Sequence, residues 1–365
     1  MIYLDSGATS LHKPPQVAVA MSRALKTCAN PGRGGHPYAM EALRIVGACR
    51  EKAASLFDTT PEQVAFTTNC TQGINIAIET LVKPGSRVLI SGFEHNAVTR
   101  PLYARGAHVR IAGRKLFDWA DTLSSFEAEL KRGVDCAVFT HVSNVFGYVL
   151  PVERMAELCR QYGVPFVIDA AQSAGTLPVH LGELGADFIA MPGHKGLLGP
   201  QGTGLLLCGR LPKPLVYGGT GSLSELMIMP DFLPDRAEAG TLNVPGIAGL
   251  DAGLSYLLRT GVQTVGQKEE AQAKRCANAL SEMGYTVFTG DHQSGTVSFV
   301  PEGDCELYAQ ALEKQGIAVR AGLHCAPLAH QSAGTFGTGT VRISFGYDAC
   351  DRQSDFFIKA ARFLR

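Results

Sequence analysis

The sequence predicts an α/β protein: a large domain on a mainly parallel sheet, followed by a smaller α+β domain at the C-terminus. Three observations predict it. From about residue 40 to 210, short β-branched runs alternate with helix-period stretches. Several of those runs are apolar throughout, as parallel strands covered on both faces must be. Beyond residue 250 the rhythm changes, and a chain of 365 residues is long enough to divide into two cores.

Taken in order, the expected strands of the large domain are 64–67, 87–91, 109–111, 136–141, 166–169, 188–191 and 204–207, seven in all. Helical runs separate them. The run 152–162 has apolar residues at helical spacing, and Gly163 with Pro165 stops it. Such a β–helix–β rhythm predicts a doubly wound sheet. After residue 250, helical stretches near 251–259, 266–283 and 304–315 interleave with strands near 296–300, 317–320 and 341–345. The expected division is 16–250 for the large domain, and 1–15 together with 251–365 for the small one.

Composition narrows the function classes. Lys and Arg total 33 and Asp and Glu total 33, so the formal charge is zero, which argues against a general nucleic-acid or membrane binder. No apolar run approaches membrane-spanning length, and the first residues lack the pattern of a secretory signal. The ten cysteines include no Cys-x-x-Cys pair, so zinc-site spacing is absent and no metal is expected. They read as reduced thiols, mostly small buried hydrophobes, and the expected location is the cytoplasm.

Ligands of open parallel sheets bind beyond the carboxyl ends of the strands. There, the run Phe166-Val167-Ile168 leads into Asp169, and the run at 188–191 leads into Pro192-Gly193-His194-Lys195-Gly196. Alone, Asp169 reads as a helix cap or turn residue. A carboxylate closing an apolar strand is costly unless a cation answers it, and a lysine in a dry site becomes a competent imine former. Together they suit a pyridine-ring cofactor, with Asp169 holding the ring nitrogen protonated and Lys195 making the imine. The stretch from Thr67 to Gly73 follows a strand and opens a helix, as a phosphate cradle would, although capping explains it equally well.

These motifs resemble the class V aminotransferase-like enzymes that use pyridoxal 5'-phosphate (PLP), and among them the cysteine desulfurases and selenocysteine lyases. The resemblance rests on Asp5-Ser6-Gly7-Ala8-Thr9-Ser10, Arg33-Gly34-Gly35-His36, Glu94-His95-Asn96-Ala97, His141-Val142-Ser143-Asn144-Val145, Asp169-Ala170-Ala171-Gln172, Gly193-His194-Lys195 and Ala239-Gly240-Thr241-Leu242-Asn243. It implies the fold type I of PLP-dependent transferases. It further implies Lys195 as Schiff-base lysine, Asp169 as ring-nitrogen partner and Gln172 as donor to the phenolic oxygen. His95 would stack on the ring. Cys70, Thr71 and His194 would hold the phosphate, with Thr241 reaching over from the second subunit of a homodimer. Arg342, Asn144, Arg320 and His36 would contact the amino-acid substrate. Two departures stand out: Pro192 where the family often has a hydroxyl residue, and Cys70 where threonine is common.

The segment Arg320-Ala321-Gly322-Leu323-His324-Cys325 resembles the cysteine loop of group II cysteine desulfurases. That resemblance implies L-cysteine or L-selenocysteine as substrate, Cys325 as the nucleophile that takes a persulfide, and a sulfur-accepting protein as partner. The expectation from the residues is that His324 and Arg320 are cationic neighbours favouring the thiolate. Alternatives stay open: a transaminase or β-eliminating lyase with Cys325 incidental, or a PLP-binding regulator without turnover.

Overall fold

The computed structural model describes residues 1–32 and 34–365; Arg33, part of the 33–36 motif, lies outside the described residues. A seven-stranded sheet forms the centre, in the order Val64–Thr67, Gly204–Cys208, Phe188–Pro192, Phe166–Asp169, Cys136–Thr140, Arg87–Ser91 and His108–Ala112. Gly204–Cys208 runs antiparallel to both of its neighbours, and the other six strands are parallel. The reversal has a local cause. A parallel return needs a crossover, usually a helix, whereas the loop between Phe188–Pro192 and Gly204–Cys208 contains none.

Alternate residues of the central strands feed different cores. Leu89, Phe139, Ile168 and Ile189 pack on one face, while Val88, Ile90, Val138, Val167 and Phe188 pack on the other. The helix Val244–Thr260 lies on Pro15–Thr27 and Pro37–Leu56 beside the large sheet and runs across residue 250.

A separate core unites Leu4 with Val297, Phe299, Val341, Ile343 and Phe357. It sits on an antiparallel sheet ordered Arg320–Gly322, Thr340–Ser344, Thr296–Val300, Thr286–Phe288. The expected strand at 317–320 is divided: Ile317–Ala318 pairs in parallel with Ile2–Tyr3, and Arg320–Gly322 joins the larger sheet.

The seam between the two sheets is hydrogen-bonded along its length. The loop after Cys136–Thr140 accepts Ser298 Oγ at Val145 O (2.6 Å) and Gln293 Nε2 at Phe146 O (2.7 Å). Val149 N donates to His292 O, and Ser294 N to Gly147 O, both at 2.8 Å. Trp119 stacks flat on His292, with centroids 3.5 Å apart. The lysine loop is pinned in the same way, because Ser10 Oγ donates to His194 O (2.9 Å) and Lys195 O (3.0 Å). A Cβ on Gly196 would stand 2.3 Å from Ala174 O, so that close approach needs glycine.

Candidate active site

Where the carboxyl ends of the large sheet meet the segments around the smaller antiparallel sheet there is a cavity of about 200 Å³. Around it the fold gathers Cys70, Thr71, His95, Asn144, Asp169, Gln172, His194, Lys195, Arg320, Cys325 and Arg342. Every site residue expected from the sequence is here except Thr241 and His36. Thr241 is exposed beside a second cavity with Arg50 and Glu238. His36 is exposed at the start of Pro37–Leu56, where its Nδ1 accepts the Ala39 N–H at 3.4 Å.

Asp169 is the last residue of its strand, and Lys195 lies three residues beyond the neighbouring strand's end. Asp169 Oδ1 accepts the Ala171 N–H (2.9 Å) and the Cys70 thiol (3.4 Å). Burial pushes the Lys195 amine below its ordinary pKa; Asp169 pulls the other way, while Arg342 adds to the depression. An amine held in this balance spends more time as the free nucleophile than a surface lysine does.

His95 caps the helix Asn96–Ala104, and its Nδ1 accepts the Ala97 N–H at 3.0 Å. In the neutral ring the proton therefore sits on Nε2. Burial lowers the pKa of His95, so the ring is held neutral. His194 is also pushed down, to about 4, first by burial and then by Lys195, and its Nδ1 lies 3.0 Å from Thr9 Oγ1.

Sequence reasoning quoted Glu94 within a motif but gave it no role. The structure places it fully buried behind His95. Its Oε1 accepts Ser91 N (3.2 Å), Thr140 N (2.9 Å) and the Ser91 hydroxyl. Burial raises its pKa to about 8, so it is a neutral acid at pH 7 that ties together the ends of two strands. The signal that could have found it is a glutamate just past the apolar strand Arg87–Ser91, a position where an ionised side chain has no water.

Arg342 is 1% exposed. Its Nη1 donates to Asn144 O at 2.9 Å, and its Nη2 pairs with Asp5 Oδ1. Its Nε is buried and has no partner among the described residues. A buried, unmade N–H is expensive, and a carboxylate arriving from the cavity would satisfy it.

The thiol wall differs in kind. His324 and Cys325 both take left-handed backbone angles, φ +48° and +58°, which β-carbon-bearing residues rarely adopt. Asn144 Nδ2 donates to His324 O (2.8 Å) and Asn96 N donates to Cys325 O (2.8 Å), so the loop is held at both carbonyls. Cys325 itself is exposed.

The expected cationic role of His324 does not hold. Its ring is 4% exposed, lies against His330, and places Nε2 3.2 Å from both Thr340 O and Thr340 Oγ1. Burial, with help from Arg342, pushes its pKa down to about 2. His324 is therefore a neutral anchor, and Arg320 and Arg342 are the cations that remain on the cavity wall.

The residues present fit a pyridoxal phosphate. In the helix Cys70–Leu81, Asn69 Oδ1 accepts Gln72 N (2.9 Å), which leaves the N–H groups of Cys70 and Thr71, ahead of the helix's own ladder, for an anion. Pro192 offers no hydroxyl there, so the cradle leans on backbone groups. Among the described residues no cluster of three His, Cys, Asp or Glu could hold a metal ion, and no helix is long and apolar enough to cross a membrane.

The sequence model of the family Aminotransferase class-V matches residues 2–357. A probable cysteine desulfurase of Methanothermobacter thermautotrophicus is 33% identical, over 95% of this chain and 90% of its own length. One from Pyrococcus abyssi is 32% identical, over 94% and 89%. Among solved structures, the apo cysteine desulfurase of Thermococcus onnurineus superposes with a TM-score of 0.91 at 31% identity, covering all of this chain and 94% of that one. The chain belongs to the class-V aminotransferase family.

Proposed function

We propose that this chain is a PLP-dependent cysteine desulfurase, cytoplasmic and homodimeric, that converts L-cysteine to L-alanine and leaves the sulfur as a persulfide on Cys325. One observation carries the reading: a free thiol, a buried lysine and an arginine with an unmet buried N–H all line one cavity.

When bound to Lys195, the cofactor supplies the electron sink that makes the substrate's Cα–H acidic. Asp169 holds the proton on the ring nitrogen. Thr71, His194 and the first N–H groups of Cys70–Leu81 bind the phosphate, and Gln172 and His95 orient the ring. Arg342 takes the substrate carboxylate on Nε, next to the Asn144 carbonyl it already holds. Lys195 moves the proton from Cα. The Cys325 thiolate then attacks the substrate sulfur: the new S–S bond forms as the Cβ–S bond breaks, and the electron pair passes to the carbon skeleton. Protonation at Cβ and return of the Lys195-held proton to Cα complete L-alanine, so no external oxidant or reductant is needed. Arg320 is exposed at the wall of the same cavity.

In the dimer, Thr241, which lies outside this cavity, would reach the site of the second copy. The exposed apolar residues Val216, Tyr217, Met227 and Ile228 fit the same reading. A sulfur-accepting protein would meet Cys325 at the cavity mouth.

The test is incubation of the reconstituted protein with L-cysteine. Alanine and persulfide should form one for one, with the extra sulfur located on Cys325 by mass spectrometry. Keto-acid-dependent amino transfer without persulfide would overturn the reading.

A further inference from the structure

We propose that Cys70 is a positioning residue for Asp169: its thiol ties down one carboxylate oxygen and leaves the other for the cofactor's ring nitrogen. The inference rests on the function proposed above. Cys70 is the first residue of Cys70–Leu81, and its sulfur lies 3.4 Å from Asp169 Oδ1. The same oxygen accepts the Ala171 N–H at 2.9 Å. Two donors from two different segments thus converge on Oδ1, and neither reaches Oδ2.

The direction of donation follows from the surroundings. Cys70 is 7% exposed and Asp169 is 2% exposed. Burial, followed by the charge of Asp169, raises the thiol pKa well above its ordinary value, so the sulfur keeps its proton and S–H donates. The terminal torsion of an aspartate is broad and nearly two-fold, so an unanchored carboxylate samples many orientations. Two donors on one oxygen remove that freedom and present Oδ2 at a fixed angle. A thiol is a weak donor, so it sets orientation while drawing little charge from the carboxylate. The two donors leave Oδ2 of Asp169 for the ring nitrogen. Cys70 consequently serves both ends of the cofactor, with its backbone N–H near the phosphate and its side chain on the ring's partner.

The test compares Cys70→Ala with Cys70→Ser, a change that restores a donor of similar reach. Two readouts apply: the dissociation constant for pyridoxal phosphate, and the pH midpoint of the bound cofactor's absorption band. Cys70→Ala should weaken retention roughly three- to tenfold and move the midpoint, whereas Cys70→Ser should stay close to the parent in both. Equal behaviour of the two variants, or a Cys70→Ala variant identical to the parent, overturns the proposal.

A second measurement needs no cofactor. In the apo protein the S–H stretch of Cys70, assigned by difference against Cys70→Ser, should shift when Asp169→Asn removes the charge it donates to. An unmoved band overturns the proposal even if Cys70→Ala fails to fold. A parent protein that takes up no cofactor would instead refute the proposed function, so the two failures are distinct.

Discussion

The wall of the cavity built by the seven-stranded sheet carries Asp169 and Lys195 at or just beyond the ends of paired, buried strands, whereas the opposite wall carries Cys325 on a loop with two successive left-handed residues. On the first wall, position comes from the sheet, and burial does the tuning: amine, imidazole and carboxyl groups are all moved toward their neutral forms. On the second, position comes from two hydrogen bonds to loop carbonyls, and the thiol residue is left exposed. The contrast matches the tasks. Imine chemistry wants a dry, fixed floor, while a thiol that must collect sulfur and pass it on has to remain reachable.

Substitution should separate the walls, and the largest effect belongs to the floor. Lys195→Ala should abolish both the imine absorption and turnover; retention of either breaks the assignment of that wall. Cys325→Ala should come next, keeping the absorption while losing transfer of sulfur to an acceptor. Normal persulfide delivery by that variant would mean that the exposed wall is a bystander.

Asn144→Ala sharpens the comparison, because Asn144 faces the floor yet holds His324 O. A buried hydrogen bond of this kind contributes about 1 kcal/mol, so persulfide formation should fall roughly five- to tenfold while cofactor binding changes little. Equal losses in both would show that the loop is not separately held. His324, with its pKa near 2, should contribute no inflection to the pH–rate profile above pH 4.

How much of this was legible in the sequence divides along the same line. The strand runs at 64–67, 87–91, 166–169 and 296–300 were readable to the residue, because short runs rich in β-branched, aromatic and other apolar residues mark them. Asp169 and Lys195 were readable because each is a polar residue placed where an apolar run stops. The antiparallel turn of Gly204–Cys208 was not, since strand direction depends on the connection and not on the strand's own residues. His324 was misread for a related reason: adjacency in sequence to Cys325 and Arg320 suggested a charged ring, but its left-handed backbone turns the imidazole toward Thr340 and away from water. Glu94 went unassigned although it follows a largely apolar strand, whereas Glu269 went unread because a glutamate inside a helix carries no mark of its own burial.

Glu269 provides the smallest effect on chemistry and tests the seam between the walls. It projects from Val262–Glu282 into a small cavity of about 40 Å³ that also touches Ser10, Gln172, Lys195 and Tyr347. A Cβ on Gly295 would stand 2.5 Å from the Glu269 Cβ, so the two segments are in close contact. Burial, and then Asp348, raise its pKa from 4.5 to about 8. Because the folded form binds the proton more tightly than the unfolded form, this group's contribution to stability is fully present below pH 4.5 and is lost as pH rises through 8. Glu269→Gln keeps the shape and removes the titration. Its unfolding free energy should therefore decline less than the parent's between pH 5 and pH 8, by an amount on the order of 2 to 4 kcal/mol. Turnover at pH 7 should stay within about twofold, since a carboxyl that is neutral there is closely mimicked by an amide. Chemical denaturation at a series of pH values checks the first expectation, and parallel slopes for the two proteins would show that the seam holds no such proton.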